Sequence, residues 1–248
     1  MRFHIVSLFP ESYPGHLSAS VLGKGLDKGI FSLCVHDLRK FGEGPHLMVD
    51  DAPYGGGPGM LIKPGPMKEA ISDVKREIPK SESNVPIILL DPRGNTFNQA
   101  MADEFAVESD LVILSGNYEG VDERVRDMVT HQVSLGDFVI TGGDLAAMIM
   151  VDAITRRIPG VLGGEGSGAA DSFANDLLQY PQYTRPSVFN NSAVPNILLS
   201  GDHKKIAEWR RKQSLLLTLN NRSDLLESAD LSKEEITWLR EIDVKERD

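Results

Sequence analysis

DLVILSGNYEGVDERV, residues 110–125, sets how this chain is read. Its first half is an apolar run too continuous for a half-exposed strand, which marks a strand covered on both faces. Its second half is a polar loop framed by Gly116 and Gly120. The same design recurs in LLDPRGN (89–95) and SLGDFVITGGD (134–144), where glycine and an acidic residue come after an apolar run. Three such strand ends in succession suggest one pocket built largely from backbone groups.

On either side of that stretch, FHIVSL (3–8), FSLCVHDL (31–38), VPIILLD (85–91), DLVILSG (110–116) and HQVSLGDFVIT (131–141) read as strands. Between them Pro64–Glu77, Asn98–Ala106, Asp122–Met128 and Asp144–Arg157 read as helices. Asn98 and Asp144 suit N-caps, and Pro64 suits a first-turn position. Alternating strands and helices imply an α/β domain with a mostly parallel sheet, whose ligands sit beyond the carboxyl ends of the strands. The segment PGVLGGEGSGAADSFAND (159–176) holds five glycines and reads as a linker. The remainder of the chain is helical in character: Asp202 can cap HKKIAEWRRKQSLLLTL, and Ser232 with Glu235 makes a capping box. The expected division is 1–162, a linker at 163–176, and a helical domain at 177–248.

At 248 residues the chain can bury a substantial core, and 41% hydrophobic with 25% charged residues is ordinary for a globular protein. No run approaches the roughly 18 apolar residues of a membrane span. The N-terminus lacks the apolar region of a signal peptide, and the single Cys34 excludes an internal disulfide and a cysteine-based zinc site. A cytoplasmic location is expected. A net charge of −10 argues against indiscriminate binding to polyanions, yet Ser200–Arg222 gathers Lys204, Lys205, Arg210, Arg211, Lys212 and Arg222 against Asp202 and Glu208. That stretch reads equally as a solvated helix face or a nucleic-acid contact.

The most glycine-rich stretch, DDAPYGGGPGM (50–60), is not a phosphate cradle. It lacks the closing lysine and hydroxyl of a P-loop and the spacing of a dinucleotide fingerprint. The six histidines show no ligand spacing and are read as structural or surface groups. Asp50 and Asp51 are adjacent on an extended segment and point to opposite faces, which suits separate roles. No nucleophile motif is present.

Taken in order, VDDAPYGGGPGM (49–60), LSGNYEGVDERV (114–125), SLGDFVITGGDLAAM (134–148), IPGVLG (158–163), DSF (171–173), YTRP (183–186) and LLSGDHKKIAEWRRKQS (198–214) resemble the bacterial tRNA (guanine-N1)-methyltransferases of the TrmD type. The resemblance implies a SPOUT fold with a C-terminal trefoil knot in the α/β domain, followed by a small tRNA-binding helical domain. It implies methyl transfer from S-adenosylmethionine to N1 of guanine 37, on the 3′ side of the anticodon. Alternatives are a SPOUT enzyme acting at another RNA position and a non-catalytic RNA-binding module.

Carried over, Leu90, Pro92, Gly116, Tyr118, Glu119, Gly120, Ser134, Leu135, Gly136, Ile140, Gly142 and Gly143 would hold the methyl donor. Asp171 would be the base, and Arg156 would stabilise O6, with Arg157 the alternative from its spacing to IPG. Asp50, Gly59, Lys204, Arg210 and Arg211 would meet the RNA. Glu119 is a candidate ligand for Mg2+, and the site is expected to be shared between the subunits of a homodimer. Asn117 departs from the arginine or histidine of many relatives.

Overall fold

The computed structural model describes residues 1–79, 84–163, 168 and 171–247. Residues 164–167, 169 and 170 of the expected linker lie outside the described residues. The chain divides into two compact units, Met1–Gly163 and Gly164–Asp248.

In the first unit β1 (Arg2–Ser7) is followed by α1 (Pro14–Leu17), α2 (Ser20–Asp27) and β2 (Ser32–Asp37). A two-residue hairpin, β3 (Asp50–Asp51) with β4 (Leu61–Ile62), closes the glycine-rich stretch, and α3 (Pro64–Glu77) comes next. Then come β5 (Ile87–Thr96), α4 (Gln99–Ala106), β6 (Asp110–Leu114), β7 (His131–Ser134) and α5 (Gly143–Thr155). The sheet is parallel throughout, in the order β2-β1-β6-β5-β7.

The apolar runs explain the layering. Alternate residues of the central strands go to opposite faces. Phe3, Ile5, Ile88, Leu111 and Ile113 pack with α1, α2, α4 and α5 through Tyr13, Leu17, Leu22, Phe105, Met150 and Val151. Val6, Leu89, Val112 and Leu114 pack with α3 through Met67, Ala70, Ile71 and Val74. Burying each such side chain stabilises by about 1.5–3 kcal/mol, so the sheet is held from both sides.

Local signals act at the expected places. Helix α3 spans Pro64–Glu77 with proline in its first turn, and Asn98 caps α4 by accepting from the Met101 N–H at 3.0 Å. Three expectations are corrected. The strand over 131–141 stops at Ser134, because residues 135–142 turn back toward the end of β6; Gly142 and Asn117 form an isolated bridge there. Residues Glu123–Met128 wind as a 3-10 helix, with Asp122 as its cap. The cap of α5 is Gly142, whereas Asp144 sits in the first turn and is engaged elsewhere.

The second unit carries the short hairpin β8 (Val188–Phe189) and β9 (Ser192–Ala193), then α6 (Asn196–Leu199), α7 (His203–Asn221) and α8 (Lys233–Arg247). Asp202 caps α7 through the Lys205 N–H, and the Ser232–Glu235 capping box forms in both directions. Leu177, Leu215 and Leu239 make its small core.

Candidate active site

The three strand ends meet around one cavity of about 500 Å³ in the first unit, within the usual range for a small-molecule site. Leu90 and Pro92 come from β5; Gly116, Tyr118, Glu119 and Gly120 come after β6; Ser134 and Leu135 close β7; Ile140, Gly142 and Gly143 lead into α5. Gly136 does not line it. It turns the chain behind β7 with a φ of +146°, and its N–H donates to Ser134 Oγ at 3.2 Å. The walls mix apolar side chains (Leu90, Val133, Leu135, Ile140 and Ala146) with glycine backbone, so a flat, partly apolar ligand can lie against peptide groups.

Close approach is built in at the start of α5. The Gly143 N–H donates to the Gly116 carbonyl at 2.6 Å. A Cβ on Gly142 would come within 2.2 Å of Asn117 Oδ1. Asn117 also lines the cavity, and its Nδ2 is a buried donor with no partner among the described residues. The sequence had singled out Asn117 only as a departure from relatives.

Behind this wall, Asp144 ties the first unit together. Its Oδ1 accepts from Ser7 Oγ at 2.6 Å, Tyr13 Oη at 2.7 Å and Ser115 Oγ at 2.9 Å. Burial, then the adjacent Asp144 charge, pushes the Tyr13 phenol well above its ordinary range, so it stays a donor. A carboxylate in the first turn also suits the helix dipole.

A second network borders the cavity at Asp91. Burial works against ionisation there, but bonds from the Arg93 side chain and backbone N–H, with Arg126 at 2.7 Å, outweigh it and hold the carboxyl below its usual range. Neither network was visible in the sequence, because the contacts that complete them, Asp91–Arg126 and Asp144–Ser7, lie 35 and 137 residues apart.

The glycine-rich hairpin lies beside this cavity. The Glu119 N–H donates to the Met60 carbonyl, the Ile62 N–H donates to the Gly120 carbonyl, and Leu61 lines the wall. Gly59, at φ +77°, is so close to Glu119 that a Cβ would meet its Cγ at 2.4 Å. Asp50 is half-buried in β3, opposite Ile62. Among the described residues no three His, Cys, Asp or Glu side chains converge at Glu119, so the expected Mg2+ has no such ligand set there.

Arg156 is the exposed C-cap of α5, while the Arg157 guanidinium is paired with Asp103 of α4. Asp171 belongs to the second unit, where the Ala174 N–H donates to its carbonyl. In that unit Arg210 lies over the Tyr180 ring at 4.8 Å, and Lys204 is exposed on α7. The Arg211 side chain is 38% exposed, but its guanidinium is engaged inside the unit. It is held by Glu235 at 2.7 Å and by the Asp230 carbonyl at 2.8 Å, and this bond holds the Glu235 carboxyl down to about 2.

A parallel α/β sheet with a glycine-walled cavity beyond its strand ends defines a small-molecule-binding domain of the open-sheet class. The model of the family described as tRNA (Guanine-1)-methyltransferase TrmD matches residues 1–228. A tRNA (guanine-N(1)-)-methyltransferase of Latilactobacillus sakei is 51% identical over 242 residues, covering 98% of this chain and 97% of that protein. One from Geotalea uraniireducens is 47% identical, covering 98% and 97%, and one from Enterococcus faecalis is 46% identical, covering 100% of both. The chain belongs to the tRNA (guanine-1)-methyltransferase family and is a methyltransferase.

Proposed function

We propose that the protein methylates N1 of guanine 37 in tRNA, using S-adenosylmethionine held in the first unit's cavity. The observation that carries the proposal is the convergence of three glycine-bearing strand-end loops on one cavity, in a chain of this family. The residues fit the donor: apolar walls suit adenine, glycine backbone allows close approach, and the buried Asn117 Nδ2 lacks a partner among the described residues. When bound, the donor supplies an electrophilic methyl group on a sulfonium.

The protein's part is to make guanine N1 a nucleophile. Neutral guanine carries a proton there. Asp171 accepts that proton as the N1 electron pair bonds to the methyl carbon, and the carbon–sulfur pair leaves with sulfur. Negative charge grows on O6, where Arg156 stabilises it. Asp50 and Gly59 border the target base, and Lys204 and Arg210 meet backbone phosphates. The target guanine leaves its stack to enter.

The fold reading is a SPOUT domain threaded as a trefoil knot, supported by the return of residues 135–143 from the edge strand β7 to the loop after β6. We read the second unit as the tRNA-binding helical domain. The working form is a homodimer with shared sites. Its support is the exposed apolar group Phe138, Val139, Leu145 and Ile149 beside the cavity. Among the described residues no helix is long and apolar enough to cross a membrane, and we place the enzyme with its tRNA substrate in the cytoplasm.

Incubation with labelled donor and tRNA bearing a guanine pair at the anticodon edge should label N1 of the predicted guanine; label elsewhere or none refutes the assignment. Asp171→Asn should lower kcat by about 10²–10⁴-fold, the contribution of a general base, with donor binding retained. A mass in solution of one chain would rule out the shared site.

A further inference from the structure

On the opposite side of the sheet order from β7, two histidines and a glutamate meet that the methyl-transfer site does not use. His4 lies on β1, His36 on the edge strand β2, and Glu77 is the last residue of α3. One ligand atom from each falls within 4.8 Å of the others. None of the three lines the cavity.

The orientation of the buried His4 is set from behind. Its Nε2 is 3.0 Å from Asp110 Oδ1, and Asp110 also accepts from Arg2 at 3.0 Å. An ionised carboxylate can only accept, so the ring proton belongs on Nε2 and the Nδ1 lone pair faces outward. There it meets His36 Nε2 at 3.1 Å. Two nitrogens bound tetrahedrally to one zinc-sized ion at about 2.0–2.1 Å stand about 3.4 Å apart. The observed spacing needs only a few tenths of an ångström of opening. A histidine whose far nitrogen donates to a carboxylate is the arrangement that orients and strengthens metal-binding imidazoles.

We infer that His4 Nδ1, His36 Nε2 and the Glu77 carboxylate bind one divalent ion of the zinc class. Two imidazoles and a carboxylate favour Zn2+ or Ni2+ over Mg2+, which prefers oxygen ligands. On binding, His36 moves its ring proton to Nδ1 through solvent, so both facing nitrogens present lone pairs. Water fills the remaining position. The ion would fasten the edge strand and the end of α3 to β1, joining residues 4, 36 and 77 of the sequence.

The test uses the full chain freed of metal by a chelator, titrated with Zn2+ by calorimetry and by thermal melting. The wild type should bind one equivalent with a rise in Tm. His36→Gln and Glu77→Gln should each weaken binding by more than about 100-fold, since losing even an outer partner costs about 10–100-fold, and should abolish the Tm rise. His203→Gln, in the other unit, should bind like the wild type. The metal-free melts of the variants check folding; Glu77 is exposed, so Glu77→Gln decides alone if His36→Gln fails to fold. Absence of one-equivalent binding by the wild type, undiminished binding by Glu77→Gln, or displacement of Zn2+ by equimolar Mg2+ overturns the site.

Discussion

Removing the Asp144 carboxylate should loosen the first unit and its cavity together. Three hydroxyls, from Ser7 at the end of β1, Tyr13 before α1 and Ser115 after β6, donate to one oxygen of a residue in the first turn of α5. A hydrogen bond to a charged acceptor contributes about 1.5–3 kcal/mol, but three that share an oxygen do not sum independently. Asp144→Ala strands all three donors and should cost about 3–5 kcal/mol. For a unit of this size each kcal/mol lowers Tm by about 2–4 °C, so a drop of roughly 10 °C is expected. Asp144→Asn keeps an acceptor without the charge and should lose about half as much.

Trp209 and Trp238 both lie in the second unit, so tryptophan fluorescence would miss the transition. Urea and thermal melts followed by far-UV circular dichroism, which sees the α/β unit, are the right assay. Donor affinity should fall in the same order, because Ser115 adjoins Gly116 and Asp144 adjoins Gly143 at the cavity wall. An Asp144→Ala variant less than about 1 kcal/mol below wild type would refute the idea that this oxygen fastens four elements.

Other outcomes rest on single contacts. Gly94→Ala would bring its Cβ within 2.4 Å of the Gln132 and Val133 backbone, and should cost about 2 kcal/mol or more in a urea melt. Asn98→Ala removes the α4 cap and should cost about 1 kcal/mol by the same measurement. In the second unit, Arg211 holds the Glu235 carboxyl down to about 2, against an ordinary value of 4.5. Its folded value is depressed, so its contribution is full above pH about 4.5 and is lost as pH falls toward 2. Tryptophan-detected melts of Glu235→Gln should lack the wild type's decline over that window; parallel declines would show that other groups govern it.

Legibility depended on distance along the chain. The strands of the α/β unit were readable because a run such as DLVIL is too apolar for any exposed place. The caps at Asn98, Asp202 and Ser232 were readable because the bond they make is three residues away. The same logic misplaced the end of the last strand. Phe138, Val139 and Ile140 look like strand residues, but they cross back as irregular chain and help wall the cavity. Local propensity cannot register that the sheet ends at β7.

Residue order alone was enough for the α/β class, the glycine loops at three strand ends, the helix boundaries set by proline and caps, and the resemblance to a methyltransferase family. It took the folded chain to show that eleven of the expected donor-binding residues share a cavity while Gly136 turns away from it. Folding also assigned Asp144 to three hydroxyls rather than to a cap, tied Arg211 to Glu235, and brought His4, His36 and Glu77 within reach of one ion. The difference is one of range. Caps, turns and periodicity act within about one helical turn, whereas these side chains lie up to 137 residues apart and meet only where the parallel crossovers return the chain to the same sheet.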